Sequence, residues 1–447
     1  MVTIAIDQTL QAGDPPSSTD NQDPIEITDG DFAIRVQGIG GNGTGSSDSN
    51  ATDGITMGSI GEFNNEEGAD LTVSQTAAAT DRIYGINLSI QGGAGGDATN
   101  DDASYNAGAG GAVGDIGSTE ALNYATVMLN PATYQGGFTV WSAFLAGGDG
   151  GSVTPSSYNS DNVPQFKDGG VAGQGGSTGE ISLSNYGDLL VGASDSPAVV
   201  TGANYGVHAR TQGGRPGTGS VGLEGANGGN ISIENSGAIR LYAGGSGQYE
   251  LYGIVAEAYG SGGSASYTSG MNGGAGANGG AVSVSLSLGG DIYLDGTGAG
   301  SDSPAWGAGI SVLSQGGNGG QGYDSSYGGA GGESGQVSVA VTDASVTTVG
   351  YGLMGISVSG VGGNGGDGGV QQDSSDAGNG GSALTGSQVT LTSSDASVQT
   401  GVSTSGNSAG AILVSSQGGI GGTGTEYDNS VLGAGRAGNG GTGGNAQ

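Results

Sequence analysis

The sequence predicts an all-β protein that winds as a parallel β-helix, a solenoid of stacked coils. Two observations carry this prediction. Glycine supplies 105 of the 447 residues, and short aliphatic strands recur at the same distance from successive glycine runs. A repeated unit of this kind cannot bury its apolar face alone, so neighbouring units stack and share a continuous core. We therefore expect contact between coils, rather than one compact core, to stabilise the chain.

The repeat unit contains an aliphatic strand, a glycine run, a polar tip, a second glycine run and two further strands. Its clearest copy begins at residues 310–314, which alternate apolar and polar residues with the period of a strand. The glycine runs 316–320 and 328–332 follow on either side of a tip, and residues 337–341 form the next strand. The apolar residue six positions before the first glycine run serves as an anchor and recurs as Ile34, Ile86, Trp141, Val207, Ile254, Ile310, Ile356 and Ile412.

These anchors divide the chain into an N-terminal cap or lead-in segment, residues 1–29, and a solenoid of about eight repeats, residues 30–447. By subtraction, consecutive anchors lie 46 to 66 residues apart. Residues 121–129, in one of the least regular copies, are compatible with a helical turn, and Trp141 and Trp306 are expected to lie in the core or against the inserts. The second strand is expected at Leu71/Val73, Ile181/Leu183, Ile231/Ile233, Val282/Val284 and Val389/Leu391.

Composition and charge exclude several classes of function. The net charge of −34, from 41 acidic and 7 basic residues, repels nucleic-acid phosphates and disfavours anionic membrane surfaces. Only 9 prolines accompany the glycine, so the chain is not collagen. There is no cysteine, and no apolar run approaches the length of a transmembrane helix. The stability of a secreted chain without disulfides must therefore come from repetition or size.

The glycine runs have two interpretations. Glycine-rich inserts are commonly flexible linkers. Alternatively, Gly-Gly-X triplets match the three residues per turn of a polyproline-II helix, whose bare glycine edges allow close backbone approach. Each repeat carries an outgoing and a returning run, which favours one ordered polyproline-II-type insert per coil, forming a layer beside the β-helix. In that layer Asn318, Asn364 and Ile420 would project from one edge.

Several short segments resemble glycine-rich autotransporter passenger domains of Gram-negative bacteria. They are Asn-Ser-Gly-Ala-Ile at 235–239, Asn-Tyr-Gly-Asp-Leu at 185–189, Ser-Ala-Gly-Ala-Ile at 408–412, and Ser-Gln-Gly-Gly at 314–317 and 416–419. The resemblance implies a right-handed β-helix displayed on the bacterial cell surface. It also implies export through an outer-membrane barrel at the C-terminus of the precursor. Residues 440–447 carry no barrel sequence, so the passenger is expected to be truncated there and to reach a membrane only through that absent part.

The sequence predicts no enzyme active site. A β-helix enzyme that processes polysaccharides needs clustered carboxylates, often with a basic residue, on stacked strands. No pair of carboxylates recurs at the same position of successive repeats. The sequence around the single histidine, His208, shows no serine that it could activate as a nucleophile. The arginines are dispersed over different repeats, at Arg35, Arg82, Arg210, Arg215, Arg240 and Arg436.

Calcium is the one ionic ligand that the sequence favours. Asn100, Asp101 and Asp102 offer hard oxygen ligands in one tip, and Asp48 offers another in the preceding repeat. The alternative is that these are solvated acidic loops. No other cofactor is predicted.

The insert tips give the functional prediction. They combine serine and asparagine with a tyrosine, which supplies amphipathic contact area at a low entropy cost. The predicted function is a secreted, structural and adhesive passenger domain that makes multivalent contact with glycans, other cells or copies of itself in adhesion, biofilm or matrix. The alternatives are a calcium-dependent matrix or surface-layer protein and a polysaccharide-processing β-helix. The candidate contact residues are Tyr105, Tyr158, Tyr267, Tyr323, Tyr327 and Tyr427.

Overall fold

A computed structural model shows the fold in which the repeats are arranged. Among the residues it describes, every regular element is a β-strand, and no helix has the length and apolar character needed to cross a bilayer. The all-β prediction is confirmed. The described residues are 6–11, 17–46, 49–99, 105–130, 132–155, 157–158, 164–165, 170–245, 248–268, 271–297, 305–323, 326–368, 387–392, 401–405, 410–424, 438–439 and 441–442.

The main strands follow the chain in groups of three, and each group is one coil, with a few short strands in the connections. We number the coils by their first strand, so that coils 1 to 9 begin with β1, β4, β7, β12, β19, β22, β25, β28 and β31. Through coil 4 the strands are β1 (Ile6–Leu10), β2 (Ser17–Asn21), β3 (Ile25–Thr28), β4 (Phe32–Ile39), β5 (Ile60–Asn65), β6 (Leu71–Ser74), β7 (Ile83–Gln91), β8 (Ala98–Thr99), β9 (Ile116–Asn123), β10 (Val127–Leu129), β11 (Thr133–Tyr134), β12 (Phe138–Ala146), β13 (Val153–Thr154), β14 (Ser157–Tyr158), β15 (Pro164–Gln165), β16 (Ile181–Asn185), β17 (Leu189–Val191) and β18 (Ala198–Val200). From coil 5 onward they are β19 (Gly202–Gln212), β20 (Ile231–Asn235), β21 (Ile239–Gly244), β22 (Tyr249–Tyr259), β23 (Val282–Leu286), β24 (Ile292–Asp295), β25 (Ala305–Gln315), β26 (Val337–Thr342), β27 (Ser345–Val349), β28 (Leu353–Val361), β29 (Ser387–Thr392), β30 (Gly401–Ser405) and β31 (Ile412–Gln417).

Each coil contributes one strand to each of three long parallel sheets in the described part of the chain. Sheet A contains the first strands, in the order β1-β4-β7-β12-β19-β22-β25-β28-β31. Sheet B contains β2-β5-β9-β16-β20-β23-β26-β29, and sheet C contains β3-β6-β10-β17-β21-β24-β27-β30. Neighbouring strands of a sheet lie about 4.8 Å apart, so consecutive coils stack at that spacing. The chain is therefore a β-solenoid, and residues 6–28 of the lead-in segment supply the strands of coil 1.

The eight anchor residues form one ladder across sheet A, as their phase predicts. Each anchor is the register partner of the next, from Ile34 and Ile86 to Ile356 and Ile412. Trp141 belongs to this ladder and is fully buried, so its predicted place in the core is confirmed. The prediction for Trp306 is wrong: its side chain is 49% exposed, because it follows the inward Ala305 and alternation turns it to the outer face of sheet A.

Two other local expectations are corrected. Leu71 and Val73 belong to sheet C, where they pair with Ile25 and Ile27. The sheet B strand of that coil is β5, which was missed because a register shift after Ile60 breaks its apolar alternation. Residues 121–129 hold no helical turn, since they form the end of β9 and all of β10, whose backbone groups pair with the neighbouring coils.

A ladder of buried asparagines marks the turn between sheets B and C. In each step the side-chain Nδ2 of one asparagine donates to Oδ1 of the next at 2.7 Å. The second N–H of Asn123, Asn185 and Asn235 donates to a backbone carbonyl two residues further on. The ladder therefore satisfies polar groups that the corner would otherwise bury unpaired. Its members are Asn21, Asn65, Asn123, Asn185 and Asn235.

The glycine runs that connect sheet A to sheet B hydrogen bond to one another. We call the run after each sheet A strand the outgoing run and the run before each sheet B strand the returning run. In the outgoing run of coil 7, every third N–H donates to a backbone carbonyl of coil 8. The donors are Gly316, Gly319 and Gly322, and the acceptors lie at the end of β28 and in the outgoing run that follows it. The N–H of Gly317 donates to Ala277 in the returning run of coil 6, and the N–H of Gly332 donates back to Gly317.

In several outgoing runs the third N–H of a triplet bonds to a side chain of the preceding coil. Asn318 Oδ1 accepts the N–H of Asn364 at 2.8 Å, and Asn364 Oδ1 accepts the N–H of Ile420 at 2.8 Å. Asp149 Oδ1 accepts the N–H of Arg215 in the same way. We call this series, in which the outer residue of one triplet caps the backbone of the next coil, the side-chain relay. Many of the asparagines and aspartates in the runs therefore have a structural role.

We expect the buried asparagine ladder to contribute more to stability than an exposed asparagine does. Asn123→Ala removes the acceptor for Asn65 and the donor to Asn185, which should lower the free energy of unfolding by about 2–3 kcal/mol. In the control Asn42→Ala, an exposed residue loses one bond to the N–H of Ala94, and the expected loss is below about 1 kcal/mol. Urea unfolding measures both, and equal losses would contradict the assigned role.

Adjacent glycines of one run should differ strongly in their tolerance of the same substitution. A Cβ at Gly263 would lie 2.1 Å from the carbonyl oxygen of Gly274, whereas at Gly262 the nearest atom is 3.3 Å away. We expect Gly263→Ala to lower the melting temperature and to speed amide exchange in the run, because the backbones must separate. Gly262→Ala should change stability by no more than about 1 kcal/mol. Similar effects of both variants would show that the runs are not closely packed.

Candidate ligand-binding grooves

The outer face of sheet A carries a cluster of aromatic and basic side chains near the middle of the solenoid. Tyr205, His208 and Arg210 of β19 lie on the outer face. Alternation relates His208 to Arg210, whereas two consecutive buried residues, Gly206 and Val207, shift the phase between Tyr205 and His208. The next strand, β22, places Tyr252 beside Tyr205 and Glu257 beside Arg210 in register. Parallel pairing without a shift therefore brings together residues from consecutive coils.

The first groove, which we call the aromatic groove, crosses β7, β12 and β19 and has a volume of about 390 Å³. The ring centroids of Tyr205 and His208 are 4.4 Å apart in a stacked arrangement, and those of Tyr205 and Tyr252 are 5.5 Å apart. The guanidinium of Arg82 lies 5.4 Å from the centre of the Tyr205 ring. The residues that line the groove are Arg82, Tyr84, Asn87, Ser89, Thr139, Ser142, Ala143, Phe144, Tyr205, His208 and Arg210.

Arg82 is held in place by the strand that it crosses. Its Nη1 donates to the carbonyl oxygen of Phe138 and to Oγ1 of Thr139, each at 3.2 Å. Both acceptors belong to β12, one coil beyond Arg82. The cation is therefore fixed before any ligand arrives, which reduces the ordering cost of binding.

The second groove adjoins the first where the strands of sheet A pass into the glycine runs. This glycine-walled groove has a volume of about 490 Å³ and shares Arg210 with the aromatic groove. Arg210 donates from Nη2 to Oε1 of Gln212 at 2.9 Å and lies 4.9 Å from the centre of the Tyr259 ring. The groove is lined by Arg210, Gln212, Arg215, Pro216, Tyr259, Gly260, Ser261, Gly262, Gly263, Gln315, Gly316, Gly317 and Asn318.

The grooves differ in charge from the rest of the molecule. Neither lining includes an aspartate or a glutamate, although the chain carries 41 acidic residues and a net charge of −34. Glu257 lies beside them, with Oε2 3.8 Å from Nε2 of His208. Burial opposes ionisation of Glu257, but His208, Arg210 and Tyr259 outweigh it and hold the pKa of this carboxyl below its usual value.

The tyrosines of the grooves are neutral at physiological pH. Burial raises the pKa of Tyr205 and of Tyr259, and burial with the nearby Glu250 raises the pKa of Tyr252 to about 12. Each tyrosine therefore combines an apolar ring with a hydroxyl that can donate or accept a hydrogen bond.

The predicted tip residues do not line these grooves. In each coil they lie between the outgoing and the returning glycine run. Tyr105, Tyr267 and Tyr323 are half-buried, and Tyr327 is 53% exposed. Tyr158 lies in β14, but its side chain, like the whole of Tyr427, is outside the described part. The contact role of these tyrosines stays a prediction.

The calcium candidates also stay predictions, because they lie outside the described residues. They are Asn100, Asp101, Asp102 and Asp48. Across the described ranges, no group of three or more histidines and acidic residues is placed to hold a metal ion.

Sequence reasoning missed the grooves because it treated the arginines as dispersed. Arg82 and Arg210 are 128 positions apart by subtraction, yet they line one groove because only coil 4 separates their strands. Aligning the repeats on their anchors would have shown Tyr205 above Tyr252 and both arginines near the same sheet. Comparison with protein-family models, curated proteins and solved structures yields no match to this chain.

The lowered pKa of Glu257 predicts a pH-dependent contribution to stability. The folded state favours the carboxylate, so the stabilisation is present above the ordinary pKa of 4.5 and is lost as pH falls through the lower folded-state value. We expect the difference in melting temperature between wild type and Glu257→Gln to shrink between about pH 6 and pH 3. The exposed Glu234→Gln, on the outer face of sheet B, controls for the loss of one charge. A Glu257→Gln difference that stays constant over this range would contradict the assignment.

Proposed function

We propose that this chain is a rigid, extracellular structural and adhesive solenoid that binds glycans on the outer face of sheet A. The observation that carries the proposal is the aromatic groove, where Tyr205 stacks on His208 and on the adjacent Tyr252 and lies beside Arg82. Sugar rings present C–H faces that pack on aromatic rings, and their hydroxyls bond to tyrosine, asparagine and serine side chains. Asn87, Ser89 and Ser142 line the same groove and supply such polar groups.

The scaffold of the proposal is a right-handed parallel β-helix with a polyproline-II-type layer at its side. Connections between parallel strands of one sheet are right-handed in about 98% of cases, which supports the handedness. The hydrogen bonds of Gly316, Gly319 and Gly322 recur every three residues, as the turn of a polyproline-II helix requires. Bonding of outgoing to returning runs supports a layer two runs thick. Such a layer would stiffen the solenoid along its length.

Multivalent contact is the adhesive part of the proposal. The tyrosine-bearing tips recur from coil to coil, so weak contacts to glycans, cells or other copies would add up without any single tight site. Display at a bacterial cell surface accords with the high negative charge, which keeps the chain soluble. The resemblance to autotransporter passenger domains supports the same location.

Affinity electrophoresis in gels that contain dextran, polygalacturonate or dextran sulfate tests glycan binding. We expect at least one polysaccharide to retard the protein, and Tyr205→Ala to weaken that retardation by up to about tenfold, since stacking on the ring is lost. Tyr186→Ala is the matched control, because Tyr186 is also partly exposed and stacks on Tyr124 at 4.8 Å, but on β-strand ends away from sheet A. Absence of retardation in all gels, or equal losses in both variants, would contradict the proposal.

A polysaccharide-processing activity is a second candidate, favoured by one observation. His208 and Glu257 form a pair 3.8 Å apart beside the neutral Tyr205 and the cation of Arg210, a set of groups suited to proton transfer. If the groove is catalytic, incubation with the retained polysaccharide shortens it, and His208→Ala stops the shortening. Retention of the polysaccharide at constant chain length favours adhesion.

A further inference from the structure

We infer that the glycine-walled groove binds the carboxylate or sulfate groups of an acidic polysaccharide. This inference rests on the proposed glycan-binding function and names the class of glycan. It is carried by an interruption in the side-chain relay at the point where two arginines line the groove.

The relay fails at two consecutive steps in the outgoing runs of coils 5 to 7. The outer residue of coil 5 is Arg215, whose side chain has no acceptor, and that of coil 6 is Gly262, which has no side chain. Within the described residues, the N–H groups of Gly262 and Asn318 therefore have no hydrogen-bond partner, whereas the equivalent N–H groups of Arg215, Asn364 and Ile420 are capped.

Both uncapped N–H groups belong to residues that line the glycine-walled groove. A Cβ at Gly262 would lie 3.3 Å from the carbonyl oxygen and 3.9 Å from the N–H nitrogen of Asn318. The groove therefore keeps open the place where an asparagine or aspartate oxygen sits elsewhere in the relay. An oxygen of a bound anion can occupy that place and accept the same N–H.

Two cations complete the site. Arg210 and Arg215 line the groove together with these backbone donors. Guanidinium groups pair with carboxylate and sulfate oxygens through charge-assisted hydrogen bonds, and backbone N–H groups that have no partner can donate to the same oxygens. Ala94 also interrupts the relay, so an interruption alone does not define a site. Here two interruptions follow each other beside two arginines in one groove.

The position of the site favours a polymer over a small anion. The two grooves share Arg210 and together extend over coils 3 to 7, which at the strand spacing is about 19 Å along the solenoid axis. A polysaccharide whose sugar rings pack on the aromatic groove would place its acidic groups near Arg210 and near the uncapped N–H groups. At physiological ionic strength, acidic residues more than about 8 Å from the ligand are largely screened. Glu257 lies beside Arg210 and offsets part of its charge, so Arg215 and the uncapped N–H groups add to the attraction that Arg210 provides.

Gly262→Asn is the sharpest test, because it restores the missing acceptor. We expect this variant to keep or raise the melting temperature while retardation by polygalacturonate and dextran sulfate weakens at least tenfold. Loss of binding in a protein that is no less stable separates ligand displacement from misfolding. A Gly262→Asn variant that binds both acidic polysaccharides as wild type does would overturn the inference.

Arg210→Gln tests the charge, with Arg240→Gln as its matched control. Arg240 is an exposed arginine on the outer face of sheet C, so its substitution changes the net charge equally at a distance from the grooves. We expect at least tenfold weaker retardation by the acidic polysaccharides for Arg210→Gln and none of this loss for Arg240→Gln. Equal losses for both variants would show that only the overall charge matters, which overturns the inference.

The choice of polysaccharides separates failure of the inference from failure of the proposed function. Dextran, which is neutral, should bind more weakly than polygalacturonate or dextran sulfate. If dextran binds as well as the acidic polymers and depends on Tyr205, the glycan-binding proposal stands and the acidic specificity is wrong. If no polysaccharide binds, both fail. Binding of inorganic sulfate without either acidic polymer shows an adventitious ion only and also overturns the inference.

Discussion

Backbone hydrogen bonding in register between consecutive coils is the constraint on which the rest of this molecule depends. It begins in the sheets and continues into the glycine runs without a break. Tyr259 pairs with Gln315 in sheet A, and the next residue, Gly260, donates its N–H to the carbonyl of the same Gln315. The same spacing thus serves strands and runs, so a shift in any one coil would break bonds on both sides of the molecule.

This register decides which side chains the chain can use. At an inward sheet position, each residue stacks on its equivalent in the next coil, which favours the branched aliphatics of the anchor ladder and the repeated asparagines of the corner. In the runs the neighbouring backbones are so close that a Cβ at Gly317 would lie 1.9 Å from the carbonyl oxygen of Ser261. The outer residue of each triplet varies most, although Pro216, Ser261 and Ser264 replace glycine at inner positions of coils 5 and 6. That position therefore contains the acids and amides of the relay, and it is where function can be added at no cost to packing.

The parts of the fold that depend on a strict period could be predicted from sequence. The anchors are separated by variable lengths, but each precedes a glycine run by the same number of residues, so their ladder was visible without coordinates. Leu71 was placed in the wrong sheet because β5, with its register shift after Ile60, does not alternate cleanly. Trp306 was misplaced because a large apolar residue near a strand start was taken as core, whereas alternation from Ala305 turns it outward. The grooves could not be found in this way, because their residues come from distant repeats and share a face only after the coils are stacked.

The relay gives a way to read such sites from the sequence of a solenoid of this kind. Where the outer residue is an asparagine or aspartate, its oxygen caps the next coil and the position is explained by architecture. Where that oxygen is missing, the backbone donor remains available and the position calls for another explanation. In coils 5 and 6 the missing acceptors are replaced by an arginine and a glycine, in a chain with 7 basic residues. Of the other described cations, Arg35 is paired with Asp7 at 2.6 Å, and Arg240 lies on sheet C. Arg82, Arg210 and Arg215 are thus concentrated at the grooves, where uncapped N–H donors and linings without aspartate or glutamate favour the same kind of ligand.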